Sequence, residues 1–331
     1  MSHVQVVKQI TRHAHLQISH FSPVMAFSRW RAVVLSVVSG LAVVLLTAVA
    51  GQLYLRRRRR SPPRLLRHPA TRHRLRLIER RELSPDTRCL RFALPTAEHV
   101  LGLQVGQHVY LSARVGDELV VRPYTPVSSE DDRGFVELVV KVYFGGRRPE
   151  FPAGGRMSQH LERLALGDTV DVQGPAGLLT YAAPGQFHIR PDRRSPAVTV
   201  RASRLGLIAG GTGITPMLQL IRRVLGDPAD ASRVWLLFAN QTEADILLRD
   251  ELDRLAAARP DRLRVWYTLD RPPAGWRYSS GFVTAEMLAA HLPPPGDETL
   301  VLMCGPPAMI SLACKPSLDK LGYPACARFA Y

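Results

Sequence analysis

Two short stretches of this chain hold residue types that could do chemistry together. Arg122-Pro123-Tyr124-Thr125-Pro126-Val127-Ser128 sets a guanidinium, a phenol ring and a hydroxyl two or three positions apart. On an extended strand alternate side chains share a face, so such a segment can clamp a phosphate while lying against a flat ring. Far downstream, Cys304-Gly305-Pro306-Pro307-Ala308-Met309 follows an apolar run and puts a polarisable sulfur where a strand gives way to a helix. Together the two stretches suggest a flavin site facing a nicotinamide site.

Two glycine-rich segments add phosphate chemistry. Gly210-Gly211-Thr212-Gly213-Ile214-Thr215-Pro216-Met217 joins an apolar strand to a helical stretch. Glycines let the backbone approach a pyrophosphate, and a helix amino end offers free N–H groups and partial positive charge. Thr215 reads as the N-cap and Pro216 as a first-turn residue. The run ends in Pro where the common dinucleotide fingerprint has Gly or Ala, and a tight glycine turn is its plain alternative. Gly154-Gly155-Arg156-Met157-Ser158 opens a second helix and suits a diphosphate, although helix caps after glycine are common. Read alone, Cys304 is a small buried apolar residue, His108 a half-buried histidine of an alternating strand, and Asp270 a strand-end turn former.

The elements that must position these residues fall into two patterns. Segments 74–80, 88–94, 107–112, 119–124, 135–143 and 169–173 read as short strands separated by turn signals such as Ser84-Pro85-Asp86 and Val115-Gly116-Asp117. With one helical stretch at 158–164 they predict a small six-stranded antiparallel barrel. Residues 182–203 show no periodicity and read as an interdomain connection. From residue 204 onward apolar strands at 205–209, 234–239, 263–269 and 300–303 alternate with helical stretches near 216–225, 245–258, 284–291 and 307–319. That alternation predicts a parallel sheet covered on both faces, with ligands at the carboxyl ends of its strands.

Ahead of both lies Ala32 to Leu55, 24 residues without a charge. As a helix it would be about 36 Å long against a hydrocarbon core of about 30 Å, which predicts a transmembrane anchor. Arg56 to Arg60 follow directly, and the positive-inside rule then puts the C-terminal bulk in the cytosol. Ala48-Val49-Ala50 resembles a signal-peptide cleavage site, but five arginines after it would resist translocation, so the anchor is the preferred reading. Met25 offers an alternative start. The formal charge is +16, yet residues 1–70 contain eleven Lys or Arg and no Asp or Glu, leaving +5 for the other 261 residues. Basicity confined to an arm beside an apolar segment points to anionic lipid and argues against nucleic acid. Cys89, Cys304, Cys314 and Cys326 form no Cys-x-x-Cys and have no His at metal spacing, so neither a disulfide framework nor a metal site is signalled.

Arg-Pro-Tyr-Thr, Gly-Gly-Arg-Met-Ser, Gly-Gly-Thr-Gly-Ile-Thr-Pro and Cys-Gly-Pro-Pro occur in this order, joined by Phe238-Ala239-Asn240-Gln241-Thr242-Glu243 and Trp266-Tyr267-Thr268-Leu269-Asp270. With this set the chain resembles the NADH–cytochrome b5 reductase family of ferredoxin-reductase-like flavoenzymes over residues 72–331. The resemblance implies an α+β two-domain fold: a six-stranded antiparallel FAD-binding β-barrel (72–181), a linker (182–203) and a Rossmann-like α/β NADH-binding domain (204–331). An N-terminal arm (1–31), a transmembrane helix (32–55) and a basic, proline-broken linker (56–71) would precede them.

The resemblance also implies roles. Arg122 would hold the FAD pyrophosphate, with Pro123, Tyr124 and Thr125 against the flavin ring. Thr125 and His108 would form a hydroxyl–imidazole path for the N5 proton. Val139, Lys141 and Phe144 would line FAD, with Lys141 also near the nicotinamide nucleotide. Arg156, Met157 and Ser158 would bind the FAD diphosphate, and Thr215 would approach the flavin from the second domain. Gly211, Thr212 and Gly213 would cradle NADH, Gly305 and Pro306 would border it, and Cys304 would sit by the nicotinamide. Asp270 would accept from the adenosine ribose and repel a 2′-phosphate, implying NADH over NADPH. The chain has Arg156 where the family typically has Lys, and ends in Tyr331 where its best-known members end in Phe.

The implied activity is hydride transfer from NADH to FAD, then single-electron transfer to cytochrome b5 or a similar acidic haem protein, with Arg156, Arg222 and Arg223 as candidate docking residues. The same machinery serving a quinone or flavohaem partner is the alternative enzyme, and an inactive membrane-tethered scaffold the alternative of another class. The implied location is the cytosolic face of the endoplasmic reticulum or of the mitochondrial outer membrane.

Overall fold

The structure, a computed structural model, describes residues 39–52, 62–146 and 152–331. Contacts divide the chain into two units, residues 1–61 and 62–331. In the first, residues 39–52 form a helix whose Leu41, Val43, Val44, Leu45 and Leu46 are exposed. Among the described residues no helix is long and apolar enough to cross a membrane; the rest of the 32–55 run lies outside them.

The second unit begins with six antiparallel strands: β1 (Arg72–Ser84), β2 (Thr87–Ala93), β3 (His108–Val115), β4 (Glu118–Tyr124), β5 (Phe135–Lys141) and β6 (Thr169–Ala176). They form one sheet in the order β4-β3-β6-β1-β2-β5. Period-2 patterning explains its two faces. In β1, Leu75 and Leu77 are buried between exposed Arg74, Arg76 and Ile78. Leu75, Leu77, Leu90, Phe92, Leu111, Leu138 and Val172 make one core, which Met157 and Leu161 of the helix Arg156–Arg163 complete. That helix starts two residues before the 158–164 stretch expected for it. Among the described residues no ladder joins β4 to β5, so these are the sheet's end strands, and β5 meets the Val127–Ser128 segment at Glu137. Pro123 is tolerated in β4 because an edge strand needs no donor there.

Residues 182–203 are not an irregular connection. They contribute most of a three-stranded antiparallel sheet, β7 (Leu179–Ala183), β8 (Gln186–Ile189) and β9 (Val198–Arg201). These strands are four or five residues long, and β9 is largely exposed, so no apolar alternation accumulates along them.

Six parallel strands follow: β10 (Arg204–Gly210), β11 (Arg233–Asn240), β12 (Leu263–Leu269), β13 (Ser279–Ser280), β14 (Thr299–Cys304) and β15 (Arg328–Ala330), in the order β13-β12-β11-β10-β14-β15. Both faces are apolar, as near-continuous runs such as Leu205-Gly206-Leu207-Ile208-Ala209 require. One face packs Leu207, Leu236 and Phe238 against the helices Ile214–Gly226 and Arg249–Ala258. The other packs Ile208, Leu237 and Val301 against Leu288 and Leu318 of the helices Ala285–His291 and Lys315–Lys320. The chain passes from one side of β10 to the other between β12 and β14, which makes the carboxyl ends of β10, β11 and β14 the switch point.

Three helix boundaries differ from expectation. The 245–258 stretch begins only at Arg249: Thr242 and Asp245 close a capping box on a separate turn, and Leu248 takes a left-handed conformation (φ 58°) between the two. The 307–319 stretch is a π turn, Met309–Cys314, leading into Lys315–Lys320, since Pro316 cannot donate an i→i−4 bond. Thr215 is not the N-cap of its helix. Gly213 holds that position, and the Thr215 hydroxyl lies inside the first turn, donating to the Thr212 carbonyl (3.1 Å).

One apolar cluster spans the two halves. Val105, Val127 and Val139 of the barrel and Tyr181 and Phe187 of the small sheet share it with Leu207, Leu236 and Phe238. Phe187 is fully buried, so Phe187→Ala is expected to cost about 3–5 kcal/mol in urea unfolding. Val198→Ala, at an exposed β9 position, is expected to stay within about 0.5 kcal/mol.

Candidate functional site

The two end strands of the antiparallel sheet carry residues expected at the flavin. Arg122 and Pro123 on β4 are exposed, and Tyr124 and Thr125 are half-buried. Arg122 donates one bond, to the Val121 carbonyl (2.7 Å), which leaves most of its guanidinium fork for an anion. Burial, with Tyr143 adding to it, holds the Tyr124 phenol above its ordinary range. On β5, Val139 is buried in the shared apolar cluster, and Phe144 just beyond the strand is half-buried.

Lys141, at the end of β5, is held from both sides. Its Nζ lies 2.8 Å from Asp86 Oδ2 in the β1–β2 turn and 3.2 Å from Asp245 Oδ1 in the nucleotide half. Burial works to lower its pKa, but the two carboxylates outweigh burial and raise it, so the ammonium stays charged. Asp245 is fixed in turn by Thr242, whose hydroxyl and backbone N–H both donate to Oδ2 (2.7 and 3.0 Å).

The Gly154–Ser158 segment proves to be structural first. The Gly155 N–H donates to the Tyr143 carbonyl (2.8 Å), while the Ser158 hydroxyl accepts from the Tyr143 N–H (3.2 Å) and donates to the Gly155 carbonyl (3.0 Å). Gly154 is left-handed (φ 68°), and a Cβ there would stand 2.7 Å from the Gly145 nitrogen. Among the described residues the backbone N–H groups of Arg156, Met157 and Ser158 have no partner at the helix amino end. Met157 is 2% exposed, so only its backbone can serve a ligand. The Arg156 guanidinium is bonded to the Glu118 carboxylate and the Val115 carbonyl, on the β3–β4 hairpin.

His108 opens β3 with its ring edge-on to Tyr110, centroids 5.2 Å apart. No hydrogen bond joins it to Thr125, so the expected hydroxyl–imidazole path is not formed in this structure; the Nε2 atom is buried without a partner. Burial, reinforced by Arg193, lowers its pKa and keeps the imidazole neutral at pH 7.

At the switch point the glycine loop lies directly on the Cys-Gly-Pro-Pro turn. A Cβ on Gly213 would overlap the Cys304 carbonyl, and one on Gly210 would come within 2.9 Å of Pro306 Cδ. Gly211 differs: it is left-handed (φ 53°) and a Cβ there would meet nothing, so the loop's open side faces away from the protein. Register pairs Ala209 with Cys304. Burial pushes the Cys304 thiol up to about 11, so it is protonated at neutral pH. The short β15 brings Tyr331 to the same place, its N–H donating to the Met303 carbonyl (2.9 Å), and burial followed by the Cys304 thiol holds its phenol above the ordinary range.

Asp270 is exposed just past β12, and its N–H donates to the Asn240 carbonyl (3.0 Å). Burial of its carboxyl raises its pKa; Arg271 opposes this and Asp245 adds to it.

The donor set fits a dinucleotide at each of two places. Three free N–H groups, Arg122 and the orphaned His108 Nε2 fit FAD at the barrel edges. The open side of Gly211 and the buried carboxamide of Asn240, which lacks any partner, fit NADH at the switch point. Asp86, Asp245 and Asn240 were not found from sequence reasoning. Asn240 lies within a quoted motif, but nothing in spacing marks it as buried, and the aspartates meet Lys141 only through tertiary contact. Of the candidates for docking a partner, half-buried Arg222 pairs with Glu251, while Arg223 stays exposed with its Nε 3.7 Å from Glu130.

Comparison with known proteins agrees with this geometry. The family model described as an oxidoreductase FAD-binding domain matches residues 74–181, and the oxidoreductase NAD-binding domain matches residues 207–315. NADH-cytochrome b5 reductase 1 of Bos taurus is 55% identical over 292 residues, covering 88% of this chain and 96% of that protein. NADH-cytochrome b5 reductase 2 of Gallus gallus is 57% identical over 274 residues, 83% of this chain and 90% of that one. The crystal structure of the cytochrome b5 reductase domain of Ulva prolifera nitrate reductase superposes with a TM-score of 0.76 at 41% identity, over 82% of this chain and all of that domain.

The thiols provide a direct check on the site. With a pKa near 11, Cys304 holds on the order of one thiolate per thousand at pH 8. Iodoacetamide at that pH is expected to label exposed Cys326 first, read by peptide mass spectrometry. Labelling of Cys304 at the same rate would mean an activated thiol at the nicotinamide position.

Proposed function

This chain belongs to the NADH-cytochrome b5 reductase family, and we propose that it serves as a membrane-anchored reductase whose electron acceptor is cytochrome b5. It is an NADH-dependent oxidoreductase with FAD as its cofactor. The observation that carries the reading is the packing of the Gly211–Gly213 turn of the nucleotide half against β5 of the barrel, with Lys141 of β5 ion-paired to Asp245 beside it. A phosphate loop and a flavin-contact strand therefore meet within one folded unit.

When bound, FAD would supply a group able to take two electrons from NADH and to release them singly to one-electron acceptors. The protein's share is placement and charge. Arg122 and the N–H groups of Arg156, Met157 and Ser158 neutralise the FAD diphosphate, and Pro123, Tyr124, Thr125, Val139 and Phe144 border the ring. Neutral His108 offers Nε2 to hold a proton near Thr125. Gly211, Thr212 and Gly213 would cradle the NADH pyrophosphate, with Gly305 and Pro306 bordering it, and Thr215 would approach the flavin from the nucleotide half. Lys141, held between the Asp86 and Asp245 carboxylates, fixes β5 against the nucleotide half. Cys304, being protonated and packed, shapes the nicotinamide pocket without acting as a nucleophile.

The acceptor follows from the relatives' printed names and from charge. Residues 71–331 carry a surplus of five positive charges, which favours a salt-sensitive encounter with an acidic haem protein. The anchor is placed at residues 32–55, where the exposed apolar helix 39–52 supports it and the arginines of 56–60 set the cytosolic side.

Anaerobic NADH titration of the purified yellow protein, followed by oxidised cytochrome b5, tests both halves. Bleaching by NADH and reoxidation by cytochrome b5 are expected, with the second rate falling as salt rises from about 0.05 to about 0.5 M. No bleaching would remove the NADH–FAD reading; bleaching without haem reduction would remove only the acceptor. Asp270→Thr is expected to shift the NADPH:NADH ratio of kcat/KM tenfold or more, about 1.4 kcal/mol; an unchanged ratio would take Asp270 out of the ribose site.

A further inference from the structure

The helix Ile214–Gly226 starts at the phosphate loop, and its later turns touch the barrel. Gln219 Oε1 accepts from the Gly106 N–H (2.8 Å), and Arg223 Nε lies 3.7 Å from Glu130. The central contact is Arg222. Its Nη1 donates to the Val127 carbonyl, while Nε and Nη2 meet both oxygens of Glu251 at 2.7 Å each. All three guanidinium nitrogens are engaged at once. Val127 lies two residues after Thr125, is buried in the shared cluster, and donates its own N–H to the Glu137 carbonyl on β5 (2.9 Å). Glu251 lies in the helix Arg249–Ala258, just beyond the Asp245 turn that holds Lys141.

We propose that Arg222 is a positioning residue for hydride transfer, bolting the Arg122–Ser128 segment of the barrel to the helix whose first turn faces the nicotinamide nucleotide. The proposal rests on the reading that NADH and FAD meet across this seam. The apolar cluster holds the halves together but lets them slide, because hydrophobic contact has no direction. A planar guanidinium with a carbonyl on one edge and a carboxylate on the other has direction, and it fixes the register of the two segments. Eight residues separate Arg222 from Ile214, about 12 Å of helix, so a small rotation at the bolt displaces the phosphate loop. Misplacement of about 1 Å can cost on the order of 100-fold in rate.

The test uses the full-length holoprotein. In Arg222→Gln, flavin content and the dissociation constant for NADH are expected to stay within about twofold of wild type, while the single-turnover rate of flavin reduction falls about 100-fold. Amide hydrogen exchange is expected to speed up in a peptide covering residues 124–130. Arg222→Lys keeps the charge but cannot span both partners, and it is expected to lose about tenfold. A wild-type reduction rate per bound flavin in Arg222→Gln would overturn the proposal. Should that variant not fold, the same result in Arg222→Lys would overturn it. A purely structural role would lower the melting temperature or flavin content and leave the rate per flavin unchanged, which would also overturn it. Failure of the wild-type protein to be bleached by NADH is a separate result and refutes the underlying reading instead.

Discussion

Everything functional in this molecule depends on one apolar contact, the cluster in which barrel residues Val105, Val127 and Val139 pack with strands of the parallel sheet. A cofactor strand and a nucleotide sheet can each be built alone, but hydride transfer needs them at a fixed separation. Burying valines from one half among leucines from the other sets that separation. β5 shows the economy of the arrangement: Val136, Leu138 and Val140 enter the core of the antiparallel sheet, while Val139 joins the cluster shared with the nucleotide half. The small sheet β7–β9 extends the same cluster through Tyr181 and Phe187 and ties on by a second route, since the Tyr181 hydroxyl donates to buried Asp230.

The glycines show how packing and ligand binding divide one motif. Gly213 and Gly210 are required by protein, because the loop lies against Cys304, Pro306 and Met309 with no room for a methyl group. Gly211 is required by conformation and faces open space. A tight structural turn and a phosphate cradle, weighed as alternatives for this loop, therefore apply to different residues within it. The same division appears at Gly154–Ser158, where the side chains and glycines build the turn and the freed N–H groups remain for an anion.

Alternating and near-continuous apolar runs made the two main sheets legible from the chain itself. Leu75 and Leu77 in β1, or Leu205 to Ala209 in β10, follow the burial that their periods demand. What stayed hidden was short or long-range. β13 and β15 have two and three residues, too few to show a period, yet β15 is what brings Tyr331 to Cys304. Asp86, Asp245 and Lys141 lie far apart in sequence and share a charge only after folding. No direct bond joins Thr125 to His108 here: the imidazole stands edge-on to Tyr110, and among the described residues its buried Nε2 has no partner. That Arg222 pairs with Glu251 and Arg223 approaches Glu130 was equally hidden, because basic composition does not say which guanidinium meets a carboxylate.

These pairings bear on how a basic protein places its charges. A shared apolar core selects compact arrangements but does not choose among nearby registers, whereas an ion pair or a bidentate fork is satisfied in only one. Along this seam Lys141–Asp245, Arg223–Glu130 and the bond from Arg222, itself braced by Glu251, to the Val127 carbonyl recur at intervals. Desolvating these charges costs free energy, and their side chains are only partly buried, so their net contribution to stability is small. Geometry is the better account of them. They cluster where a displacement of an ångström matters to chemistry, while the outer face of β1 carries exposed Arg72, Arg74 and Arg76 that fix nothing in the seam. Cations of the same type thus do two different jobs, and only the fold separates those that hold the halves in register from those left to meet other molecules.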